Sequence, residues 1–444
     1  MRIITMRTNQ LDNPVGYDLR QPRFSWAYEG DEVVETTRIR IAEETAGLLF
    51  DSGPRADMDQ LAYVAAGFTP EPKTRYSWTV EATTTAGTTV TSEPAYFETG
   101  KMDEAWQAKW ITAPFPQHIH PYFHRGFEVG SDLQRARIYC TALGIYELEL
   151  NGQRIGDEVL APFYNDYRFR LQTQVYDVTE LLAEGPNALG AMLGNGWYKG
   201  RFGFSADVRH IYGDHFGLLL ELELEYADGT VELVTTDESW TAQPSAVQDS
   251  NIYDGEIYDA SRDIPGRATV DCDLTHAQPA RILPHPYHLV QARFSPPLRE
   301  IESLQATLLH TPAGEQVLDF GQNLTGWVAF TVEAPVGTVI RLQHGEILQD
   351  AQFYNTNLRT ARAEYVYISD GTRQTVRPRF TFFGFRYVKV TGVDVKPEDW
   401  IAHVIHSDLP ETGSIVTGSA KVNRLIQNAR WGQKGNFLDV PTDC

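Results

Sequence analysis

The densest group of acidic side chains lies in the segment IYDGEIYDASRD, residues 252–263, which contains Asp254 and Glu256. Hydrolysis of a glycosidic bond generally uses two carboxyl groups held about 5 to 9.5 Å apart, one of them with a raised pKa. On a strand, Asp254 and Glu256 would share a face and could form such a pair. Because acidic residues are abundant along the whole chain, a solvated turn or an ion pair with an interdomain arginine is the favoured interpretation.

Three histidines in the segment QHIHPYFH, namely His118, His120 and His124, are candidate metal ligands. The first two could project together from an extended segment, but neither a cysteine nor a nearby carboxylate completes a ligand set. We therefore expect these to be exposed histidines of a linker, and the metal content of the protein stays unknown.

Aromatic and amide side chains in two segments could bind a sugar. LGNGWYKGRFGF, residues 193–204, combines turn glycines with side chains that can stack on a sugar or hydrogen-bond its hydroxyls. With a second segment it supplies the candidate sugar-binding residues Tyr164, Asn165, Asp166, Asn195, Trp197, Tyr198 and Arg201. The competing interpretation, and the more frequent role of such rings in a β-sandwich, is the core.

The charge of the chain restricts its partners. Lys and Arg number 38 against 59 Asp and Glu, and the formal net charge of -21 repels nucleic acid and anionic lipid. A neutral ligand such as a sugar suffers no such penalty. The sequence also lacks GxSxG, P-loop and GxGxxG motifs, so serine nucleophiles and nucleotide binding have no support. We expect no nucleic-acid partner and no membrane partner.

The N-terminal residues and the cysteines bear on localisation. MRIITMRTNQLDNP lacks the apolar segment of a signal peptide, and no run of about 18 apolar residues follows it. Cys140, Cys272 and Cys444 are an odd number without CxxC spacing, which argues against a disulfide framework and a structural zinc site. We expect a cytoplasmic protein, with an extracellular protein exported by another route as the alternative.

Short aromatic and β-branched runs separated by Gly and Pro predict an all-β fold for most of the chain. Alternation in RYSWTVEATTTAG places Tyr76, Trp78 and Val80 on one face of a strand. Asn151-Gly152 predicts a type I′ hairpin, since both residues tolerate positive φ. Strands at this spacing indicate successive β-sandwich or jelly-roll domains.

Changes of composition divide the chain. An aromatic connector follows residue 102, and a proline-rich stretch lies between about 261 and 300. These features predict domains at 1–102, 103–290 and 291–410.

Residues 411–444 have a different pattern. Val422, Leu425, Ile426 and Ala429 fall at helical spacing after a potential N-cap at Ser419, which predicts an amphipathic helix. The sequence offers no second strong helix to pack against it. We expect this segment to be the first part of a helical domain whose remainder is absent.

Nine segments follow one another along nearly the whole chain. They are NPVGYDLRQPRFSW (13–26), LGIYELELNGQRIGDEVLAP (143–162), YDVTELL (176–182), LGNGWYKGRFG (193–203), DGEIYDA (254–260), DFGQNLTGWV (319–328), HGEIL (344–348), FTFFGFRYVKV (380–390) and NFLDVPTDC (436–444). In this order they resemble the bacterial α-L-rhamnosidases of glycoside hydrolase family 78. The resemblance implies a fibronectin-type-III-like sandwich, a carbohydrate-binding-like jelly roll, a concanavalin-like or supersandwich β domain, and the start of a catalytic (α/α)6 barrel.

The resemblance also implies a function. Family members hydrolyse terminal non-reducing α-L-rhamnose from rhamnosides with inversion, using a general acid and a general base. Asp443 alone matches a family active-site residue, one that holds rhamnose hydroxyls, while the acid and the base would lie beyond Cys444. We therefore expect no catalytic residue in this chain, an accessory and scaffold role, and a catalytic domain acting in cis or in trans.

No cofactor is implied for hydrolysis, but the jelly-roll module of some family members binds rhamnose with calcium.

An alternative from another class stays open: a stand-alone carbohydrate-binding β-protein without catalytic activity, in which the last helix caps the third sandwich.

Overall fold

The computed structural model of the protein describes residues 1–44, 46–201 and 208–442. Within them strands predominate, so the predicted all-β fold is confirmed. The α-helices of the described residues are α1, Gly196–Lys199, and α2, Ala420–Asn436.

The strands are short and follow one another closely. Residues 1–106 contain β1 Arg2–Thr8, β2 Val15–Tyr17, β3 Arg23–Glu29, β4 Val34–Glu43, β5 Gly47–Asp51, β6 Tyr63–Val64, β7 Arg75–Thr84, β8 Thr89–Thr91 and β9 Ala95–Thr99. Residues 107–289 contain β10 Ile111–Thr112, β11 Pro121–Val129, β12 Leu133–Leu143, β13 Ile145–Leu150, β14 Gln153–Arg154, β15 Leu171–Asp177, β16 Gly185–Gly194, β17 Gly217–Tyr226, β18 Val231–Thr235, β19 Thr241–Pro244, β20 Val247–Asn251, β21 Gly255–Asp259, β22 Gln278–Pro279 and β23 Arg281–Ile282. The later residues contain β24 Val290–Ala292, β25 Leu298–Gln305, β26 Thr307–His310, β27 Gln316–Val332, β28 Val339–Gly345, β29 Ile347–Gln349, β30 Gln352–Tyr354, β31 Glu364–Ile368, β32 Gln374–Val376, β33 Phe383–Thr391, β34 Trp400–Ser407, β35 Phe437–Leu438 and β36 Val440–Pro441.

The first compact unit consists of Met1–Trp106 with Gln172–Val175 and Val290–Phe294. It has one sheet in the order β2-β9-β7-β4-β5 and a second in the order β1-β3-β6. On β7, Tyr76, Trp78 and Val80 are all buried, which confirms that they share a core face. The Trp78 ring packs 4.8 Å from that of Phe24 on β3, so aromatic contacts join the two sheets. Burial of each such side chain contributes roughly 1.5–3 kcal/mol.

The second compact unit comprises Gln107–Leu171, Tyr176–Leu289 and the described part of Ser295–Cys444. Its first half has β23, β10, β17 and β12 in one sheet and β14-β13-β16-β11-β19-β22 in another. Neighbours that are distant in sequence, as in β12 beside β17, are typical of a jelly roll.

The predicted hairpin at Asn151-Gly152 is confirmed. The two residues have φ of 51° and 77°, and Leu150 pairs with Gln153 across the turn. The Asn151 side chain also donates to Asn187 Oδ1 at 2.7 Å, which ties the turn to β16.

The second half of this unit is built on a large sheet in the order β20-β21-β31-β28-β33-β27-β34-β25, with β26 and β32 beside β27. β20 and β21 belong to it, although the composition of the sequence placed residues 247–259 in the preceding domain. Their place depends on parallel pairing of β21 with β31, and pairing across such a distance leaves no local signal in the sequence.

Helix α2 confirms the predicted amphipathic helix, with Ser419 at its N-cap, and it extends further than the apolar spacing indicated. Its apolar side chains are largely exposed: Val422 is 42% and Leu425 is 66% accessible. Among the described residues, no helix is both long enough and apolar enough to cross a bilayer.

Candidate functional site

Most of the candidate sugar-binding residues are buried. Asn165, Asn195, Trp197, Tyr198 and Arg201 each expose 7% or less of their surface. Tyr164 and Asp166 are half-buried. Residues 202–204 of the same segment lie outside the described residues, as does Asp443.

The structure brings the aromatic candidates together. Trp197 and Tyr198 lie on α1, and the Tyr164 ring meets the Trp197 ring edge-on at 6.0 Å. Tyr198 packs against Tyr167 at 4.9 Å, and the Tyr164 hydroxyl lies 3.0 Å from that of Tyr212. Because these rings contact one another, Trp197 and Tyr198 pack as core residues, in agreement with the competing interpretation.

The polar candidates on either side of α1 connect it to the large sheet. Asn195 Nδ2 donates to the Ser250 carbonyl at 2.8 Å. Arg201 Nε lies 3.5 Å from Asp254 Oδ2, and the Arg201 guanidinium also donates to the Thr360 carbonyl. Asn195 and Arg201 therefore hold the two halves of the second unit together.

The acidic pair is divided between different partners. Asp254 forms ion pairs with Arg201 at 3.5 Å and Arg362 at 3.6 Å, which confirms the predicted ion pair with an arginine. Glu256 accepts the backbone N–H of Phe380 at 2.7 Å, and burial raises the pKa of Glu256 to about 7. Asp254 does lie in a turn, but the alternative of a solvated turn is wrong, because Asp254 is 5% and Glu256 is 1% accessible.

The prediction of exposed linker histidines is wrong for His120 and His124, which are 1% and 6% accessible. His120 Nε2 lies 2.9 Å from Ser250 Oγ, and burial lowers the pKa of His120 to about 3, so the ring is neutral. His124 is buried because it lies on β11, which pairs with β16 and β19 from distant parts of the sequence. His120 precedes β11 and packs against the Phe216 ring. His118 is exposed, as expected. In the part of the chain that the structure describes, no three His, Cys, Asp or Glu side chains are grouped to hold a metal.

A cleft of about 520 Å³ lies between the large sheet and α2. Four of the nine segments that carry the family resemblance line it, although they are far apart in sequence. They contribute Gln322 to Thr325, then Glu346, then Phe382 and Gly384, and finally Asn436 and Thr442. Helix α2 supplies Asn428, Trp431, Gly432 and Gly435. We define these residues as the α2 cleft.

A bulge in β27 brings the first segment to the cleft. Asp319 pairs with Tyr387, but Leu324 pairs with Phe385, so the residues between them oppose Arg386 alone. Gly321 accommodates the bulge with φ of 75°. Asp319 accepts two hydrogen bonds from Arg386, at 2.7 and 2.9 Å, which fixes the base of the bulge.

Hydrogen bonds connect the segments around the cleft. Asn323 Nδ2 donates to Glu346 Oε1 at 3.1 Å, and Thr325 Oγ1 donates to the Gly435 carbonyl at 2.9 Å. The second bond joins the sheet to the last turn of α2. The arrangement of the cleft is therefore set by contacts between segments and not by any one of them.

A short hairpin of β35 and β36 follows α2 and holds the chain at the cleft. Leu438 is fully buried, and the Asp439 N–H donates to Ser407 Oγ on β34 at 2.9 Å. The Thr442 N–H donates back to the Asn436 carbonyl at 2.9 Å. Thr442 immediately precedes Asp443 in the sequence, the residue that the resemblance assigns to substrate binding.

Models of four protein families match consecutive parts of the chain. The Rha78A-like N-terminal immunoglobulin domain matches residues 3–103, and the alpha-L-rhamnosidase N-terminal domain matches 131–302. The bacterial alpha-L-rhamnosidase concanavalin-like domain matches 309–406, and the 6 hairpin glycosidase domain matches 410–444.

Curated relatives are longer than this chain. An alpha-L-rhamnosidase of Streptomyces avermitilis is 39% identical over 79% of the chain and 35% of the relative. One of Alteromonas sp. (strain LOR) is 31% identical over 97% of the chain and 50% of the relative. The chain thus spans about half or less of the length of these relatives.

Solved structures agree with these similarities. The alpha-L-rhamnosidase of Aspergillus terreus is 31% identical with a TM-score of 0.94, over the whole of this chain and 53% of that one. The enzyme of Streptomyces avermitilis, solved in complex with L-rhamnose, is 26% identical with a TM-score of 0.91, over the whole of this chain and 61% of that one. In sequence, domain order and fold, the chain belongs to the α-L-rhamnosidase family.

Proposed function

We propose that this chain is the accessory and scaffold portion of a glycosidase that releases terminal non-reducing α-L-rhamnose from rhamnosides with inversion. The observation that carries the proposal is the α2 cleft, where four family segments meet beside Thr442. Family membership supports the substrate class, and the Streptomyces avermitilis relative was solved with L-rhamnose.

Inverting hydrolysis needs a general acid and a general base, with carboxyl groups about 6.5–9.5 Å apart so that water fits between them and the sugar. Among the described residues, Glu346 is the one carboxylate that lines the α2 cleft. A single carboxylate cannot fill both roles. We therefore propose that the acid and base come from a catalytic domain in cis or in trans, while this chain supplies Asp443 for binding rhamnose hydroxyls.

The purified 444-residue chain should release no 4-nitrophenol from 4-nitrophenyl α-L-rhamnoside above the rate in buffer. The physical reason is the missing second carboxyl group. The measurement is absorbance of the released phenolate, with Glu346→Gln as the matched variant. Hydrolysis by the parent chain that Glu346→Gln abolishes would contradict the proposal, because the chain would then carry its own catalytic centre.

A second candidate function, sugar binding by the jelly roll, is favoured by the half-buried Tyr164 and Asp166 beside the aromatic cluster. Hydrogen bonds from Arg168 to both carboxylate oxygens hold the pKa of Asp166 below its usual range. Calcium needs about six to eight oxygen ligands, and within the described ranges no group of three metal-binding side chains occurs. A calcium ion in this module stays a prediction.

Calorimetric titration with L-rhamnose tests that second function. We expect saturable heat that decreases in Tyr164→Ala, because the exposed part of this ring would cover the sugar. Titrations with and without added calcium test whether the metal takes part. Tyr253→Ala, at an exposed tyrosine of the same unit, is the control and should titrate like the parent chain. Equal heats for the parent chain and Tyr164→Ala would rule out this site.

A further inference from the structure

The α2 cleft has the size and the open space of a small-molecule site. Its volume of about 520 Å³ is within the range of about 300–1,000 Å³ found for ligand pockets. At Gly384 and Gly432, no atom other than those of chain neighbours and of the α2 backbone lies within 4 Å of the position that a Cβ would take. Gly384 on β33 and Gly432 on α2 therefore leave open space between the sheet and the helix.

Two half-buried aromatic rings, Trp431 and Phe382, line the cleft. The Lys434 ammonium lies 4.9 Å from the centroid of the Trp431 ring and donates to Glu302 at 2.7 Å. Glu302 lies on β25, so these contacts orient the Trp431 ring before any ligand binds. An oriented and partly exposed indole is suited to packing against the C–H face of a sugar.

Polar groups of the cleft have hydrogen-bonding capacity to spare. Asn323 uses its amide N–H₂ to donate to Glu346 Oε1. Three side-chain groups of the cleft take part in no hydrogen bond among the described residues: Asn323 Oδ1, Glu346 Oε2 and the side-chain amide of Asn428. Together they offer both acceptors and donors, which is what vicinal hydroxyls require, since each hydroxyl donates once and accepts.

The charge of the cleft selects against anions. Of its described lining residues, none is Lys or Arg, and Glu346 carries a negative charge. The chain as a whole has a formal charge of -21. A phosphate, a uronate or a sulfated sugar would therefore be repelled, whereas a neutral sugar would not.

We propose that the α2 cleft is a binding site for a neutral sugar unit, with Trp431 as the stacking surface and with Asn323, Glu346 and Asn428 as the hydrogen-bonding groups. We assign this unit to the part of a rhamnoside that adjoins its terminal rhamnose. That assignment rests on the proposed function, because it follows from the position of Thr442 before Asp443.

Hydrogen exchange with rutinose, in which rhamnose is linked to glucose, tests the proposal on the full chain. We expect rutinose to slow exchange in peptides covering 322–325 and 428–436, and its dissociation constant to rise at least tenfold in Trp431→Ala. Trp106→Ala is the matched control, because Trp106 is also half-buried with a lysine ammonium 4.9 Å from its ring. That variant should bind like the parent chain.

A second variant separates binding from folding. Asn428 is exposed on α2, so Asn428→Ala should leave the fold intact and weaken binding about fivefold, the effect of losing one hydrogen bond. Galacturonate should not compete. Unchanged affinity in both Trp431→Ala and Asn428→Ala, or equal competition by galacturonate, would overturn the proposal.

The two proposals fail in different ways. If no neutral sugar slows exchange around the cleft, the cleft proposal is overturned and the family-based function is untouched. If glucose slows exchange there but rutinose does not, a neutral-sugar site stands and its assignment to rhamnosides is overturned.

Discussion

Glu147→Ala should lower the free energy of unfolding of the second compact unit by about 3–5 kcal/mol, the cost of removing one partner from a buried ion pair. Glu147 lies on β13 and is 7% exposed. Its Oε1 accepts from Arg377 Nη2 at 2.7 Å, and Arg379 bonds the other oxygen. Without the carboxylate, the two largely buried guanidinium groups would lose their shared partner, and among the described carboxylates Arg377 would keep only the more distant Glu300, at 3.8 Å. Urea unfolding followed by circular dichroism measures the effect.

The same network predicts a pH dependence. Burial is the largest single influence on the pKa of Glu147 and raises it, but Arg377, Arg379 and Arg154 together outweigh burial and hold this pKa well below its usual range. A depressed folded-state pKa contributes stability above the unfolded-state value of about 4.3, and that stability is lost as the pH falls through the folded-state pKa. Glu147→Ala should therefore remove part of the acid sensitivity of the parent chain.

Asp157→Ala is the matched control for Glu147→Ala. Asp157 pairs with Arg299 at 3.0 Å in the same unit, but its side chain is 71% exposed. Exposed pairs contribute about 0–1 kcal/mol because water screens them. Losses of similar size in the two variants would show that Glu147 is not a buried partner of the arginines.

Gly255→Ala is expected to cost about 2–6 kcal/mol, from backbone strain of about 1–3 kcal/mol and overpacking of a similar size. Gly255 begins β21 with φ of 105°, where side chains are rarely tolerated. A Cβ here would lie 1.8 Å from the carbonyl oxygen of Glu364, its partner on β31. Relief of that contact would separate the two parallel strands and move Glu256 away from the N–H of Phe380.

Gly314→Ala measures the cost of backbone strain at a position where a Cβ meets no steric clash. Gly314 also has a positive φ, 79°, but no atom lies within 4 Å of the position of its Cβ. We expect this variant to lose only about 1 kcal/mol, the ordinary cost of the left-handed conformation. Thermal and urea unfolding of both variants measure the difference, and equal losses would rule out the clash with Glu364.

Features that depend on neighbouring residues could be predicted from the sequence. Alternation along β7 placed Tyr76 and Trp78 on one face of a strand, Asn151-Gly152 predicted a hairpin, and apolar spacing predicted α2. Each pattern reports a local backbone geometry, with a period of 2 for a strand and 3.6 for a helix. These features therefore needed no knowledge of distant partners.

Burial of polar and aromatic candidates could not be predicted in the same way. Trp197 and Tyr198 are residues that suit a sugar site or a core equally well, and only the packing of Tyr164 and Tyr167 around them distinguishes the two. His120 was expected in a linker because the residues around it give no sign of the strands that enclose it. Buried histidines and solvated ones have the same sequence pattern.

The sequence by itself determined that this protein is a chain of β-domains related to α-L-rhamnosidases and that its last segment is helical, because strand alternation, turn residues and family segments are properties of contiguous residues. Only the tertiary structure decided that Gln322–Thr325, Glu346, Phe382 and Trp431 line one cleft. Their proximity results from the bulge in β27 and from the pairing of β27 with β33. Such pairing depends on hydrogen bonds between segments far apart in the chain, so the site exists only once the sheet has formed.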